Sequence, residues 1–189
     1  MRSSPRHLLA GLILAMALAG CQSGPSLDSM PPLETSATDD AAYRLGRGDR
    51  LAVIVFGAPD LSANELIVAA DGTIALPLVG TVKATGLTLD QLSDAVKTAL
   101  LAGYVHDPKV SMQILAYRPF YILGEVKTPG EYPYVPGMTV TTAAARAGGY
   151  TFRAYEGGCS VTRNGIKYRA TDTSRILPDD VVNIPGRIL

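Results

Sequence analysis

The sequence predicts an α+β fold made of two small units in tandem. Short apolar runs of strand length alternate with turn residues along the chain. Each half of the chain also contains one segment with helical periodicity, and Pro119 separates the two series of strands. We therefore divide the chain into residues 1–20, 21–40, 41–117 and 118–189, with the last two ranges as the folded units.

The N-terminus has the features of a signal peptide. Arg2 and Arg6 precede an apolar stretch at 8–18, which is too short to span a membrane. The sequence Leu18-Ala19-Gly20-Cys21 follows and resembles a bacterial lipobox, in which the cysteine thiol is acylated and the peptide is cut before it. Gln22 rather than Asp follows the cysteine, which by the same resemblance favours the outer membrane. The alternative is an ordinary secretory signal with a chance cysteine.

Removal of residues 1–20 leaves 169 residues with 15 basic and 17 acidic side chains, a formal charge of −2. This balance argues against binding to nucleic acid or electrostatic binding to anionic lipid. We expect membrane attachment only through the lipid on Cys21. Cys159 is the other mature cysteine, and we predict that it is a core residue. An intermolecular disulfide is the alternative.

Residues 21–40 are rich in Ser, Pro and Thr and predict a flexible lipidated tether. Strands are expected at 51–56, 66–68, 74–76, 79–83 and 109–117, with Asp71-Gly72 as the turn of a hairpin. Thr88 and Gln91 have capping-box spacing, and the helix that follows has apolar residues at intervals of three and four.

The second unit has its own strand and helix signals. Strands are predicted at 120–126, 159–163, 166–169 and 181–184, with Asn164-Gly165 as a hairpin turn. A helix rich in small residues is predicted at 139–147, closed by Gly148-Gly149.

These segments together resemble the bacterial outer membrane polysaccharide export family. The resemblance rests on Tyr43-x-Leu45-Gly46-x-Gly48-Asp49-x-Leu51, on Asp71-Gly72-x-Ile74-x-x-Pro77-Leu78-x-Gly80-x-Val82, and on Tyr104 with Pro108-x-Val110-x-Met112. From Phe120 onward, Gly124-x-Val126-x-x-Pro129-Gly130 with Gly148-Gly149 resembles an SLBB domain. The resemblance implies two β-grasp-like units with mixed sheets and one main helix each.

The resemblance also implies a function and partners. Members of the family carry a finished polysaccharide chain across the outer membrane, assemble as homo-oligomeric rings and dock to an inner-membrane copolymerase. Longer members end in an amphipathic pore helix, whereas only five residues follow the last predicted strand here. We therefore expect a short form at the periplasmic face of the outer membrane that needs a separate β-barrel partner for the crossing.

The sequence contains no recognisable catalytic or metal-binding set. His106 is the only mature histidine, and no Cys/His cluster or Gly-x-Ser-x-Gly motif accompanies it. Paired glycosidase acids among Asp49, Asp71, Glu125 and Glu131 are the alternative to turn-forming carboxylates. We expect no catalytic residue, no metal, no cofactor and no enzymatic activity.

Tyrosines are the remaining candidates for a functional site. Tyr117, Tyr121, Tyr132 and Tyr134, with Tyr150 and Tyr155 further along, can stack on sugar rings or line a subunit interface. Half-buried strand residues are the alternative. Two other functions remain open, namely a monomeric periplasmic lipoprotein that binds a glycan or another soluble ligand and, less favoured, a cell-wall hydrolase.

Overall fold

The computed structural model describes residues 26–33, 43–103, 105–155 and 157–187. The predicted lipidation site Cys21, the tether outside 26–33, Tyr104 and residues 188–189 lie outside the described residues. No helix of the described part is long and apolar enough to cross a membrane.

The described residues of the first unit form five strands and one α-helix. They are β1 (Arg50–Val55), β2 (Ala63–Ile67), β3 (Thr73–Leu76), β4 (Gly80–Lys83), α1 (Leu89–Leu101) and β5 (Val110–Ala116). Strand β1 lies between β2 and β5 in a three-stranded antiparallel sheet, and β3 pairs with β4 in a separate two-stranded sheet.

Helix α1 begins with the predicted capping box. The Gln91 N–H donates to the Thr88 hydroxyl over 3.2 Å, and the Thr88 N–H donates to Gln91 Oε1 over 3.0 Å. Caps of this kind stabilise a helix by about 1 kcal/mol. Leu92, Val96 and Leu100 lie fully buried on one face of the helix, where they join the core of the first unit.

The predicted hairpin at Asp71-Gly72 is wrong in its strand pairing. A turn does form there, because the Asp71 carboxylate accepts hydrogen bonds from the N–H and the hydroxyl of Thr73. These bonds, the hydroxyl first, lower the pKa of Asp71. However, β2 pairs with β1, and β3 pairs with β4. The turn therefore connects two sheets instead of two strands of one ladder.

The second unit contains β6 (Phe120–Gly124), β7 (Gly130–Tyr132), α2 (Val140–Arg146), β8 (Cys159–Arg163), β9 (Ile166–Ala170) and β10 (Val181–Ile184). Its five-stranded sheet has the order β7-β6-β10-β8-β9 and is mixed, because β6 and β10 run parallel. The α+β class is confirmed. The sheets described in the first unit, in contrast, are antiparallel.

Each unit has its own hydrophobic core. The first core surrounds Leu51, Val53 and Ile74, and the second surrounds Phe120, Val161 and Val182. Cys159 belongs to the second core and is only 2% exposed, which confirms the prediction for this residue. Burial, with a smaller effect of the Asp172 charge, raises the pKa of its thiol to about 12.

Candidate functional site at the junction of the two units

Two turns of the same construction lie at the junction of the units, one from each. The first turn (residues 46–49) precedes β1, and the second turn (residues 177–180) precedes β10. In each, the N–H of the fourth residue donates to the carbonyl oxygen of the first, over 3.3 Å and 3.2 Å respectively. The third residue has positive φ in both, 91° at Gly48 and 68° at Asp179. A positive φ at this position is typical of a type II turn.

Each turn ends in a buried aspartate whose carboxylate folds back on the turn. Asp49 is 0% exposed and Asp180 is 1% exposed. The N–H of Gly46 donates to Asp49 Oδ2 over 2.8 Å, and the N–H of Leu177 donates to Asp180 Oδ2 over 2.7 Å. Buried carboxylates are costly unless they are paired and hydrogen-bonded, so the remaining partners of each aspartate matter.

The other partners of Asp49 are Tyr43, at the start of the first unit, and Arg118, directly after its end. The Tyr43 hydroxyl lies 2.9 Å and 2.7 Å from the two carboxylate oxygens. The backbone N–H of Arg118 donates to Asp49 Oδ1 over 3.0 Å, and the Arg118 guanidinium Nε lies 3.5 Å from the same oxygen. Burial and, next, the hydrogen bond to Asp49 raise the pKa of Tyr43. Tyr43 therefore keeps its proton and acts as a donor.

The partners of Asp180 come from its own unit. Arg163 on β8 donates to both carboxylate oxygens, from Nε over 2.9 Å and from Nη2 over 2.8 Å. This two-point geometry is the strongest form of an arginine–carboxylate pair. Among the described residues, the hydrogen-bond partners of the Asp180 carboxylate are therefore all in the second unit.

Arg118 connects the two turns. Its side chain is 20% exposed, lies beside Asp49 and donates from Nη1 to Asp179 Oδ2 over 2.7 Å. It also donates from Nη2 to the Tyr43 hydroxyl over 3.2 Å. A Cβ added to Gly46 would overlap the guanidinium, so a larger residue at this position would displace Arg118 from its place beside the first turn. One side chain in the connection between the units therefore contacts a carboxylate of each.

An aromatic row continues this junction into the second core. The rings of Tyr43 and Tyr117 meet edge to face at 4.9 Å between centroids, and those of Tyr117 and Tyr134 meet in the same way at 5.7 Å. Edge-to-face pairs add about 0.5–1.5 kcal/mol each beyond their buried area. We call Tyr43, Asp49, Tyr117, Arg118, Tyr134 and Asp179 the junction cluster.

The predicted tyrosines are placed in different surroundings. Tyr117 is half-buried within the junction cluster, and Tyr134 is only 6% exposed. Tyr132 stacks on Phe120, and its hydroxyl donates to the carbonyl of Thr128 over 2.6 Å. Tyr121 is 36% exposed and lies on the open face of the five-stranded sheet, so its ring is the most accessible of the four.

Tyr150 and Tyr155 lie elsewhere, at a cavity of about 190 Å³ in the second unit. Phe152, Asp172, Cys159 and Arg187 also line it. The Tyr150 hydroxyl donates to Asp172 Oδ1 over 3.0 Å. Burial, followed by this bond, raises the pKa of Tyr150.

The other residues considered for chemistry do not converge. Among the described residues, no three His, Cys, Asp or Glu side chains form a group that could hold a metal ion. His106 is exposed in a loop. Glu125 accepts a hydrogen bond from Thr151 over 2.5 Å, and Glu131 is exposed on β7.

The junction cluster was largely missed at the sequence level, although one signal for it exists. Leu45-x-x-x-Asp49-x-Leu51 and Ile176-x-x-x-Asp180-x-Val182 repeat one pattern: an apolar residue, then an aspartate four residues later, then an apolar strand residue. The flanking apolar residues are all buried. Reading this repeat would have placed Asp49 in a buried turn. No nearby sequence feature indicates that Arg118 contacts both turns.

Comparison with known proteins assigns a family to each unit. The model for polysaccharide biosynthesis/export proteins matches residues 37–115, and the model for the SLBB domain matches residues 119–169. The first match ends before Tyr117 and Arg118, and the second begins after them. These two residues of the junction cluster therefore lie between the two matched domains.

Curated relatives agree with the family matches. The exopolysaccharide production protein ExoF of Rhizobium meliloti is 39% identical over 118 residues, which cover 57% of this chain and 28% of that protein. The EPS I polysaccharide export outer membrane protein EpsA of Ralstonia solanacearum is 34% identical over 153 residues, 67% of this chain and 40% of that protein. The chain thus spans less than half the length of these relatives. It carries a polysaccharide biosynthesis/export domain followed by an SLBB domain.

Proposed function

We propose that this protein is a non-catalytic, lipid-anchored component of a polysaccharide export channel at the periplasmic face of the outer membrane. The sequential arrangement of an export domain and an SLBB domain carries this proposal, together with relatives named for polysaccharide export. The lipobox around Cys21 supports the anchor. The transported ligand is an extracellular polysaccharide chain.

The junction cluster supports a role in which the two domains act as one element. A channel wall that a polymer passes must keep its shape, and two domains joined only by a linker are expected to move relative to each other. Here a buried carboxylate, an arginine shared by both domains and three packed tyrosines join them. This arrangement suits a subunit that holds a fixed angle within a ring.

Exposed apolar side chains support assembly of several copies. Phe56 is 80% exposed and Ile54 is 51% exposed beside shallow depressions next to β1. Phe152 in the SLBB domain is 90% exposed. Large exposed aromatic side chains are typical of protein interfaces. We propose that these surfaces join copies into a ring, which docks to an inner-membrane copolymerase and to a separate outer-membrane β-barrel.

Deletion of the gene tests the proposed function. We expect loss of extracellular polysaccharide while lipid-linked repeat units are still made, and rescue by the wild-type chain. Normal export in the deletion strain would refute the proposal.

Assembly is tested with Phe56→Asp, which places a charge in the proposed interface. The mass of the detergent-extracted protein should fall from that of an oligomer to that of a monomer. Thr81→Asp is the matched control, because it adds the same charge at an exposed position of β4. Equal masses for both variants would contradict the assignment of this surface.

The cavity in the SLBB domain favours a second candidate function, the binding of a soluble glycan by a monomeric lipoprotein. Aromatic rings beside a carboxylate and a guanidinium can contact both the apolar face and the hydroxyls of a sugar. A stable monomer that binds oligosaccharide tightly, with affinity lost in Asp172→Ala, would support this candidate over the first.

A further inference from the structure

The five-stranded sheet of the SLBB domain has one covered face and one open face. Helix α2 shares the core with the covered face, which carries the fully buried Phe120, Ile122 and Val182. Because side chains alternate along a strand, the residues between these three belong to the other face. Tyr121 and Leu123 lie there and are 36% and 47% exposed. We call this side of the sheet the open face.

The strand register places one residue of each strand in a row across the open face. Tyr121 on β6 lies opposite Glu131 on β7 and opposite Val181 on β10, and the row continues through Thr162 on β8 to Lys167 on β9. Neighbouring strands are about 4.8 Å apart, so the row is about 19 Å long. It is acidic at the β7 edge, aromatic beside that edge and basic at the β9 edge.

The β9 edge of the sheet is occupied by an earlier part of the chain. The N–H of Arg169 on β9 donates to the carbonyl of Pro31 over 2.8 Å, and the N–H of Leu33 donates to the carbonyl of Arg169 over 2.8 Å. The Asp28 carboxylate lies 3.2 Å from the Arg169 guanidinium. The composition of this stretch had predicted only a flexible tether, so the contact is a finding of the structure. Ser160, which lies opposite Arg169, is only 2% exposed, so access to the open face is greatest at β6 and β7.

Two carboxylates lie beside the accessible ring of Tyr121. Burial and, next, the negative charges of Glu131 and Asp179 raise the pKa of its hydroxyl. Both carboxylates are exposed, and Asp179 also accepts a hydrogen bond from Arg118 of the junction cluster. An aromatic ring can pack against the C–H face of a sugar while neighbouring carboxylates accept hydrogen bonds from its hydroxyls. This part of the open face therefore suits a hydroxyl-rich ligand.

We infer that the open face at Tyr121 contacts the exported polysaccharide through uncharged, hydroxyl-rich sugar units. This inference rests on the proposed function. The two carboxylates would repel an anionic substituent, whereas they accept hydrogen bonds from neutral sugars.

An open face suits a moving polymer better than an enclosed cavity does. A flat surface can contact any unit along the polymer, whereas a cavity of about 190 Å³ admits only a chain end or a side group. Passage through a channel also requires contacts weak enough to be released. A single stacked ring with hydrogen bonds to exposed groups meets this condition. The surface around Phe56 differs, because its large exposed side chains are apolar, which is typical of an interface between proteins.

Photo-cross-linking in living cells tests the contact. A benzophenone-bearing phenylalanine is placed at position 121 or 123 of the full chain, and position 101 at the end of α1, where Leu101 is 56% exposed, is the matched control. Irradiation joins the benzophenone to nearby C–H bonds. We expect the sugar recovered on the denatured protein at positions 121 and 123 to exceed that at 101 by roughly threefold or more, because only groups in contact react. Position 123 gives the same readout if the larger ring at 121 disturbs the strand.

Two results of this experiment would overturn the inference. One is an equal sugar yield at all three positions. The other is cross-linking of position 121 to a second copy of the chain, since the open face would then be a subunit interface. Mass spectrometry of the cross-linked peptide after hydrolysis of the glycan tests the chemistry of the attached unit. A neutral sugar is expected, and a sugar that carries a carboxylate or phosphate group would contradict the stated ligand class.

Binding in vitro separates the open face from the cavity. The purified mature chain, residues 21–189, is run in a native gel that contains extracellular polysaccharide from the strain that encodes it. We expect the polysaccharide to slow the wild-type chain, and Tyr121→Ala to reduce this retardation by roughly threefold or more through loss of the stacked ring. Asp172→Ala in the cavity and Leu101→Ala should behave as the wild type, with unchanged far-UV circular dichroism for all three variants. Loss of retardation in Asp172→Ala but not in Tyr121→Ala would overturn the inference, as would a wild-type chain that is not slowed.

These experiments distinguish the inference from the proposed function. Normal export in the deletion strain would refute the proposed function, whatever the gel shows. If export depends on the protein but positions 121 and 123 yield no sugar adduct, only the contact at the open face is refuted.

Discussion

The first and second turns use the same backbone and the same buried aspartate, yet they satisfy the carboxylate in different ways. Asp180 is paired with Arg163 of its own domain through two hydrogen bonds. Asp49 depends on the Tyr43 hydroxyl and on Arg118, which lies 69 residues further along the chain. The second turn is therefore complete within the SLBB domain, whereas the first turn is complete only when the two domains are joined.

The different partners of Asp49 and Asp180 show that one type of turn can serve two purposes. In the SLBB domain the turn stabilises the start of β10 within its own core. In the export domain it also forms the attachment point for the neighbouring domain, because Arg118 contacts Asp49 and Asp179 at the same time. Substitutions in the two turns should consequently have different effects. Those in the second turn should lower the stability of the SLBB domain, whereas those in the first turn should also weaken the contact between the domains.

The largest effect is expected for Asp180→Ala. The change leaves the Arg163 guanidinium, which is 18% exposed, and the Leu177 N–H without this carboxylate. Loss of one partner of a buried pair costs about 3–5 kcal/mol. Denaturant unfolding should show this loss, while the exposed control Asp60→Ala stays within about 0.5 kcal/mol of the wild type. A cost under 1 kcal/mol would mean that the pair contributes little to the second turn.

Arg118→Ala should have the next largest effect and should separate the domains. The carboxylates of Asp49 and Asp179 both lose a cation, at an expected cost of about 2–3 kcal/mol for a charged, partly buried contact. Calorimetry should resolve two unfolding transitions in the variant and a single transition in the wild type. Arg118→Lys is the matched control, since a single ammonium keeps the charge but cannot reach both carboxylates in the same way. A single transition in both variants would refute the coupling.

Tyr43→Phe should cost about 1–2 kcal/mol, because it removes a hydrogen bond to a charged group. It should also change the response to alkaline pH. The pKa of Tyr43 is raised in the folded chain, so its proton leaves the unfolded chain first, and stability falls as the pH rises above about 10. The free energy of unfolding should therefore fall less steeply above pH 10 in Tyr43→Phe. Identical slopes would contradict the assigned role of the hydroxyl.

Asp179→Asn should have the smallest effect, under about 1 kcal/mol. The Asp179 side chain is 57% exposed, so its ion pair with Arg118 is screened by solvent. Asparagine also tolerates the positive φ of 68° at this position. Denaturant unfolding at low and high salt checks this estimate, because the difference between variant and wild type should shrink as salt rises.

Elements that depend on near neighbours were predicted correctly. The capping box at Thr88 and Gln91, the helix that begins after Thr139 and the Asn164-Gly165 hairpin all lie within a few residues of their signals. The pairing of β2 was predicted incorrectly because its partner, β1, precedes it and competes with β3 for the same strand. The local sequence does not determine whether β2 pairs with the strand before it or with the strand after it.

The sequence by itself determined the α+β class, the order of most of the elements and the turns at Asp71-Gly72 and Asn164-Gly165, because turn and capping chemistry acts over about four residues. Only the tertiary structure decided that Asp49 is buried, that Arg118 joins two carboxylates and that residues 31–33 pair with β9. These contacts connect residues far apart in the chain, 75 positions for Tyr43 and Arg118 and 141 for Asp28 and Arg169. The physical reason is that such contacts form only after two separate cores bring the surfaces together, and no short window of sequence encodes that approach.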